Sequence, residues 1–155
     1  LMSAWYSGAA EKATDVAIFA SRIPKGESGW TEPVIIHDTP GLSDGNPVLF
    51  TAPDGALWLF YVAIEGNSWN DCPIYAKSSS DSGFTWSGPA AIRKKKGWMT
   101  RNKPLVLSDG RIILPLYDET LYRPQSMISG DNAKTWKNWG GAANPTCCCS
   151  SPPWA

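Results

Sequence analysis

The sequence predicts an all-β protein, and two features of its patterning predict it. Its apolar runs are short, rich in aromatic and β-branched residues, and bounded by Gly, Pro, Asp or Ser, as strands and turns require. They are Val16 to Phe19, Val34 to Ile36, Pro47 to Phe50, Leu57 to Val62, Leu105 to Leu107 and Ile112 to Leu116. The chain also places nine Trp, 14 Gly and 13 Pro in 155 residues, and no longer stretch repeats its apolar residues at the helical period.

Repetition orders these strands. Ser79-Ser80-Asp81-Ser82-Gly83-Phe84-Thr85-Trp86 is matched about 50 residues later by Ser129-Gly130-Asp131-Asn132-Ala133-Lys134-Thr135-Trp136. An Asp-Gly turn followed by an apolar strand occurs at Asp54 to Tyr61 and again at Asp109 to Tyr117, and the opening Leu1 to Tyr6 fits the same strand. Asn46 to Phe50 matches Asn102 to Leu107, and Trp30-x-x-Pro33 matches Trp86-x-x-Pro89. A repeat of about 50 to 56 residues carrying four short strands is the size of a propeller blade. The expectation is a partial β-propeller of about two and a half to three blades: the end of one, one complete, and most of a third. It spans residues 1–139, and residues 140–155 form a tail that is disordered or aberrant in origin. The Asp-Gly pairs are expected to form type I′ hairpin turns, since Gly adopts positive φ freely and Asp is tolerated there.

Each repeated box is a fold staple. Its Asp accepts hydrogen bonds from nearby backbone N–H groups, its Gly takes the unusual φ, and its Trp anchors the turn in the core.

Bulk properties narrow the function. The 14 basic and 14 acidic residues cancel, which argues against a nucleic-acid or anionic-membrane partner. No apolar run is long enough for a membrane helix. The opening Leu1-Met2-Ser3-Ala4-Trp5-Tyr6 lacks a basic stretch and a small-residue cleavage site, so it does not read as a signal peptide. It reads as a strand entered midway, so the chain is expected to be a fragment. Arg93-Lys94-Lys95-Lys96 reads as solvated surface, and His37 is the sole histidine, without metal-ligand company. No metal or cofactor is expected. Cys72 stands alone, and Cys147-Cys148-Cys149 have no zinc-ribbon spacing.

These boxes resemble the Asp-box, or BNR, propellers, and within them the sialidase superfamily. Asn46-Pro47, Asp54 to Tyr61, and Trp69 to Cys72 leading into Ser79 to Trp86 are similar to the sialidase second blade. Arg101-Asn102-Lys103-Pro104, Ser108 to Arg111 and Leu114 to Glu119 are similar to the third blade of bacterial members. The resemblance implies a six-bladed propeller and an exo-glycosidase that releases a terminal sialic acid, or a related sugar, from glycoconjugates. It implies secretion or a periplasmic location for the full-length parent.

Sialidases use a Tyr nucleophile polarised by a Glu, an Asp general acid/base and three Arg that bind the sugar carboxylate. A neutral Tyr attacks beside that carboxylate without the repulsion a carboxylate nucleophile would meet, and guanidinium forks bind it bidentately. The Tyr, its Glu and two of the Arg belong to later blades, so this chain alone is expected to be inactive. Arg22-Ile23-Pro24 shares letters with the motif of the first family Arg. Its register, after the strand ending at Ala20 and just before Trp30-x-x-Pro33, places it instead in a degenerate Asp box. The resemblance puts the acid/base carboxylate between the Tyr6 and Val16 strands, where Glu11 and Asp15 are the candidates. It makes Asn46, Arg101, Asn102, Lys103, Tyr117 and Glu119 candidates for substrate binding. Sialidases carry Glu and Arg just after the first of these strands, where this chain has Ser7, Gly8 and Ala9. The competing reading is a non-catalytic Asp-box propeller that binds carbohydrate or protein.

Overall fold

The computed structural model describes residues 1–140; Cys147 to Cys149 and nearly all of the expected tail lie outside the described residues. The chain forms three antiparallel sheets in succession. The first holds β1 (Met2–Ser7), β2 (Ala17–Arg22) and β3 (Val34–His37), and the second β4 (Ser43–Thr51), β5 (Leu57–Ile64), β6 (Ile74–Ser79) and β7 (Ala90–Arg93). The third holds β8 (Trp98–Thr100), β9 (Leu105–Val106), β10 (Ile112–Asp118), β11 (Arg123–Ser129) and β12 (Lys137–Asn138). These are consecutive blades of a β-propeller, as the repeat predicted.

The third blade is fuller than expected. All four strand positions are filled, because β8 and β9 lie end to end along β10 and β12 pairs with β11. The break between β8 and β9 falls at Arg101 to Pro104, where a buried proline has no N–H to give the ladder.

Burial along the middle strands shows how the blades stack. Six consecutive residues of β5, Leu59 to Ile64, are buried. Phe60, Val62 and Ile64 pack into a cluster with Met99, Leu114 and Leu116 of the third blade. Leu59 and Tyr61 point the other way and join Ile18, Ala20 and Ile36 of the first. A strand covered on both faces therefore reads as a continuous apolar run rather than an alternating one. Strand β10 alternates, with Ile112, Leu114 and Leu116 buried and Ile113, Pro115 and Tyr117 half-buried. Each of the larger buried side chains contributes about 1.5–3 kcal/mol.

The Asp-Gly turns differ from the type I′ expectation. Type I′ needs positive φ at both central residues, but only the glycines have it, at +87° for Gly55 and +85° for Gly110. Gly55 N–H donates to Ala52 O at 2.9 Å and Ala52 N–H to Ala56 O at 2.8 Å; Leu107, Gly110 and Arg111 repeat the pattern. This is a type I turn closed by a glycine bulge. Pro53 sits where that turn favours proline.

The two Asp boxes superimpose in their bonding. Ser79 Oγ accepts from Gly83 N–H at 2.7 Å and donates to Asp81 Oδ1 at 2.7 Å, while Asp81 accepts from Thr85 N–H and Oγ1–H. Ser129, Asp131, Ala133 and Thr135 repeat each of these bonds. Their tryptophans pack inward, with Trp136 edge-on to Phe60 at 5.5 Å between centroids. The donors on each carboxylate, Thr85 and Thr135 first among them, hold both aspartates below the usual carboxylate range, Asp131 at about 2.

Candidate functional site

The antiparallel weave sorts the loops into two ends. The loops β1–β2, β5–β6 and β10–β11, residues 8–16, 65–73 and 119–122, emerge at one end, and the Asp boxes occupy the other. Two recesses open among the loops of the first end. A groove of about 390 Å3 is lined by Trp5, Tyr6, Asn46, Pro47, Thr100 and Arg101, among others. A neighbouring recess of about 340 Å3 is lined by Tyr6, Gly8, Ala10, Glu11 and Val16. Tyr6 belongs to both.

Asn46 sits at a bulge in β4, where the register against β5 shifts between Gly45 and Val48. Its φ of +48° lies in the left-handed region, which Asn tolerates better than most residues. Its Nδ2 donates to Thr100 O at 3.1 Å, and Thr100 Oγ1 donates to Asn46 O at 2.6 Å. This exchange ties the second blade to the third, and the Asn46 amide oxygen has no hydrogen-bond partner among the described residues.

Arg101 begins the interruption between β8 and β9. Its Nη2 donates to Glu119 Oε1 at 2.6 Å, and its guanidinium carbon lies 5.0 Å from the centre of the Tyr117 ring. Tyr117 and Glu119 therefore both contact the arginine side chain. Asp118 between them faces the other way, into the blade junction. Burial would push its carboxyl up, but donors from Leu121 N–H, Thr120 N–H and Trp98 Nε1–H outweigh that and hold it below the usual range. Asn102 and Lys103 are exposed and line neither recess.

The two candidate carboxylates have different surroundings. Asp15 Oδ2 accepts from Ala9 N–H at 3.0 Å, which closes its own loop. Glu11 Oε1 accepts from Trp69 Nε1–H at 2.8 Å, across the boundary between first and second blades. The structure thus gathers Asn46 and Arg101 into one groove, sets Tyr117 and Glu119 against Arg101, and puts Glu11 in the neighbouring recess that shares Tyr6.

Tyr6 and Thr100 line the groove and Trp69 reaches the neighbouring recess through its bond to Glu11, yet none of the three is among the site candidates read from the sequence. The repeat did show that Tyr6 shares its strand position with Tyr61 and Tyr117. Nothing local marks Thr100, and Trp69 stands in the segment similar to the sialidase second blade without any sign of its partner; the two partners are 54 and 58 residues away.

Among the described residues, no group of three or more His, Cys, Asp or Glu could hold a metal ion. The Cys72 thiol is fully buried, and burial pushes its pKa up to about 12, which removes it as a nucleophile. His37 is held near pKa 4, chiefly by burial and then by the charge of Lys77. No helix of the described residues is long and apolar enough to cross a membrane.

Residues 1–152 match the family model described as a BNR repeat-like domain. The chain belongs to the BNR repeat-like family. No curated protein matches it by sequence. Solved structures of the same fold include the Hadza microbial sialidase Hz136, at a TM-score of 0.69 and 19% identity over 91% of this chain and 35% of that one. The intramolecular trans-sialidase of Ruminococcus gnavus superimposes at a TM-score of 0.67 and 11% identity, over 88% of this chain and 57% of that one. A protein of unknown function from Dyadobacter fermentans gives 0.67 and 18%, over 88% and 50%. This BNR repeat-like chain therefore spans from about a third to just over half the length of these structures. At such identities the likeness fixes the fold and leaves the chemistry to the site.

Proposed function

We propose that this chain carries part of the substrate site of a sialidase-type glycosidase, one that releases a terminal sialic acid or a related acidic sugar from a glycoconjugate. The observation that supports it is the guanidinium of Arg101 in an open groove beside Asn46. A guanidinium in contact with Glu119 and Tyr117 presents its remaining N–H donors as a fork suited to a carboxylate. Asn46 offers an acceptor for sugar hydroxyls, and Tyr6 offers a ring edge as a wall. In this reading Glu11 is the acid/base carboxylate, because it adjoins the groove, and Asp15 shapes the loop that carries it. Tyr117 and Glu119 serve the arginine, and Asn102 and Lys103 lie outside the contact surface.

One observation favours a second reading, a propeller that binds an acidic glycan without cleaving it. The Gly8 backbone lies so close to Val16 that an added Cβ would come within 2.7 Å of Val16 Cγ2 and 2.8 Å of its Cα. The position after β1 therefore has no room for the side chains that sialidases carry there.

Titration of the labelled chain with N-acetylneuraminic acid, against neutral N-acetylmannosamine, tests the proposal. The expected result is selective perturbation of Tyr6, Asn46 and Arg101 resonances by the acidic sugar, lost in Arg101→Ala and kept in Lys103→Ala. Equal binding of both sugars, or no binding to the groove, refutes it. Cleavage of an aryl sialoside by the active protein, abolished by Glu11→Gln, separates the enzyme from the binding module.

A further inference from the structure

We propose that Trp69 is a positioning residue, one that holds the Glu11 carboxylate at the groove from the neighbouring blade. The inference deepens the glycan-site reading above and rests on it. Three separate observations meet at this indole. Its Nε1–H donates to Glu11 Oε1 at 2.8 Å. Its ring meets the Tyr6 ring edge-on, with 6.4 Å between centroids and 63° between planes. Its far edge lies over Gly45, where an added Cβ would stand 2.9 Å from Cζ3 and 3.2 Å from Cη2.

The third observation explains a residue choice. Gly45 is fully buried in β4 directly before Asn46, and the indole takes the space a side chain would fill. The loop that carries Trp69 is itself tightly closed, with a 3-10 turn over Trp69–Asp71. Asp71 N–H donates to Ser68 O at 2.9 Å and Glu65 N–H to Asp71 O at 3.2 Å. The half-buried Trp69 also packs against the core shared by the second and third blades. Glu11, by contrast, belongs to an exposed loop whose own internal bonds do not reach its carboxylate. An exposed carboxylate on such a loop samples many rotamers. A rigid indole donor reduces them to one. Because misplacement of a reacting group by about 1 Å can cost about a hundredfold in rate, such a clamp matters to any chemistry Glu11 performs.

The test uses the whole chain labelled with nitrogen-15. Trp69→Phe keeps an aromatic ring while removing the donor and the far edge over Gly45, and identifies the Trp69 indole cross-peak by its loss. That peak is expected to shift in Glu11→Gln. Gly45→Ala, which pushes the ring aside without touching Glu11, is expected to shift it too. A Trp69 peak indifferent to Glu11→Gln overturns the proposal.

A double-mutant cycle on affinity for N-acetylneuraminic acid gives the functional half. Trp69→Phe is expected to weaken binding about tenfold, the scale of one hydrogen bond to a charged group, and to add nothing in the Glu11→Gln background. Additive losses would show that Trp69 acts on its own, and would also overturn the proposal. If no sugar binds at all, the glycan reading fails by itself, and the response of the indole peak to Glu11→Gln still decides whether Trp69 holds Glu11.

Discussion

Replacing the box serines by alanine isolates what one side-chain oxygen contributes to this fold. Ser79 is 3% exposed and Ser129 is 1% exposed. Ser79 Oγ accepts from the buried Gly83 N–H at 2.7 Å, and Ser129 Oγ accepts from Ala133 N–H at 3.0 Å. Ser79→Ala removes the acceptor and leaves the amide at a position water does not reach, an arrangement that costs about 1–3 kcal/mol. The contacts with Asp81 add little, because that carboxylate keeps its bonds to Thr85. At about 2–4 °C per kcal/mol for a chain of this size, the melting temperature should fall by about 2–12 °C. Ser129→Ala should behave alike, and the double variant should equal the sum within about 0.5 kcal/mol, since the boxes lie in different blades and share no partner. Ser80→Ala, at an exposed position of the same turn, is the control and should stay within about 0.5 kcal/mol. Urea unfolding followed by tryptophan fluorescence, with circular dichroism melts, measures all four. Losses in Ser79→Ala and Ser129→Ala no larger than in Ser80→Ala would refute the view that these hydroxyls staple the turns.

Three further outcomes follow from the packing and the charges. Gly83→Ala should cost stability in the same assay, because Gly83 has a φ of +85° and a new Cβ would lie 3.1 Å from both Leu57 Cδ2 and Met2 Sδ. Leu114→Ala should cost about 2–5 kcal/mol, because Leu114 is fully buried between the second and third blades, whereas Leu121→Ala at a 57% exposed site should cost under about 0.5 kcal/mol. Acid should destabilise the chain in two stages. His37, depressed from 6.5 to about 4, is neutral in the fold, so its contribution is lost as pH falls from about 6.5 through about 4. The box aspartates are depressed from 3.8, Asp131 to about 2, so theirs is present above 3.8 and lost as pH falls through about 2. Burial pushes Asp44 in the opposite sense, so the readout is the difference between parent and variant melting curves. His37→Gln should flatten the first stage and leave the second, and a first stage unchanged in that variant would refute the assignment.

What the sequence disclosed depends on how far each interaction reaches along the chain. An Asp box makes its hydrogen bonds within itself: Ser79, Asp81, Gly83 and Thr85 bond to residues two or four positions away. Its letters therefore contain the whole device, and two copies suffice to phase the blades. Type I′ assumes a two-residue loop, whereas Ala52 with Ala56 and Leu107 with Arg111 close three-residue loops in which a type I turn leaves the glycine as a bulge. The site is another matter. Asn46 meets Thr100 across 54 residues and Trp69 meets Glu11 across 58, each pair joining adjacent blades. A propeller assembles its ligand surface from loops of separate blades, so no local window of sequence holds a complete site. What a window does hold is the mark left by a close approach. Gly45 and Gly8 are both glycines with no space for a Cβ, one against Trp69 and one against Val16. The first is explained only once the indole is seen above it. The second shapes the loop that carries Glu11, and there the chain departs from the sialidase pattern. Under the glycan reading proposed above, the glycines beside the groove bear on which sugar it would take, through the space they leave to their neighbours.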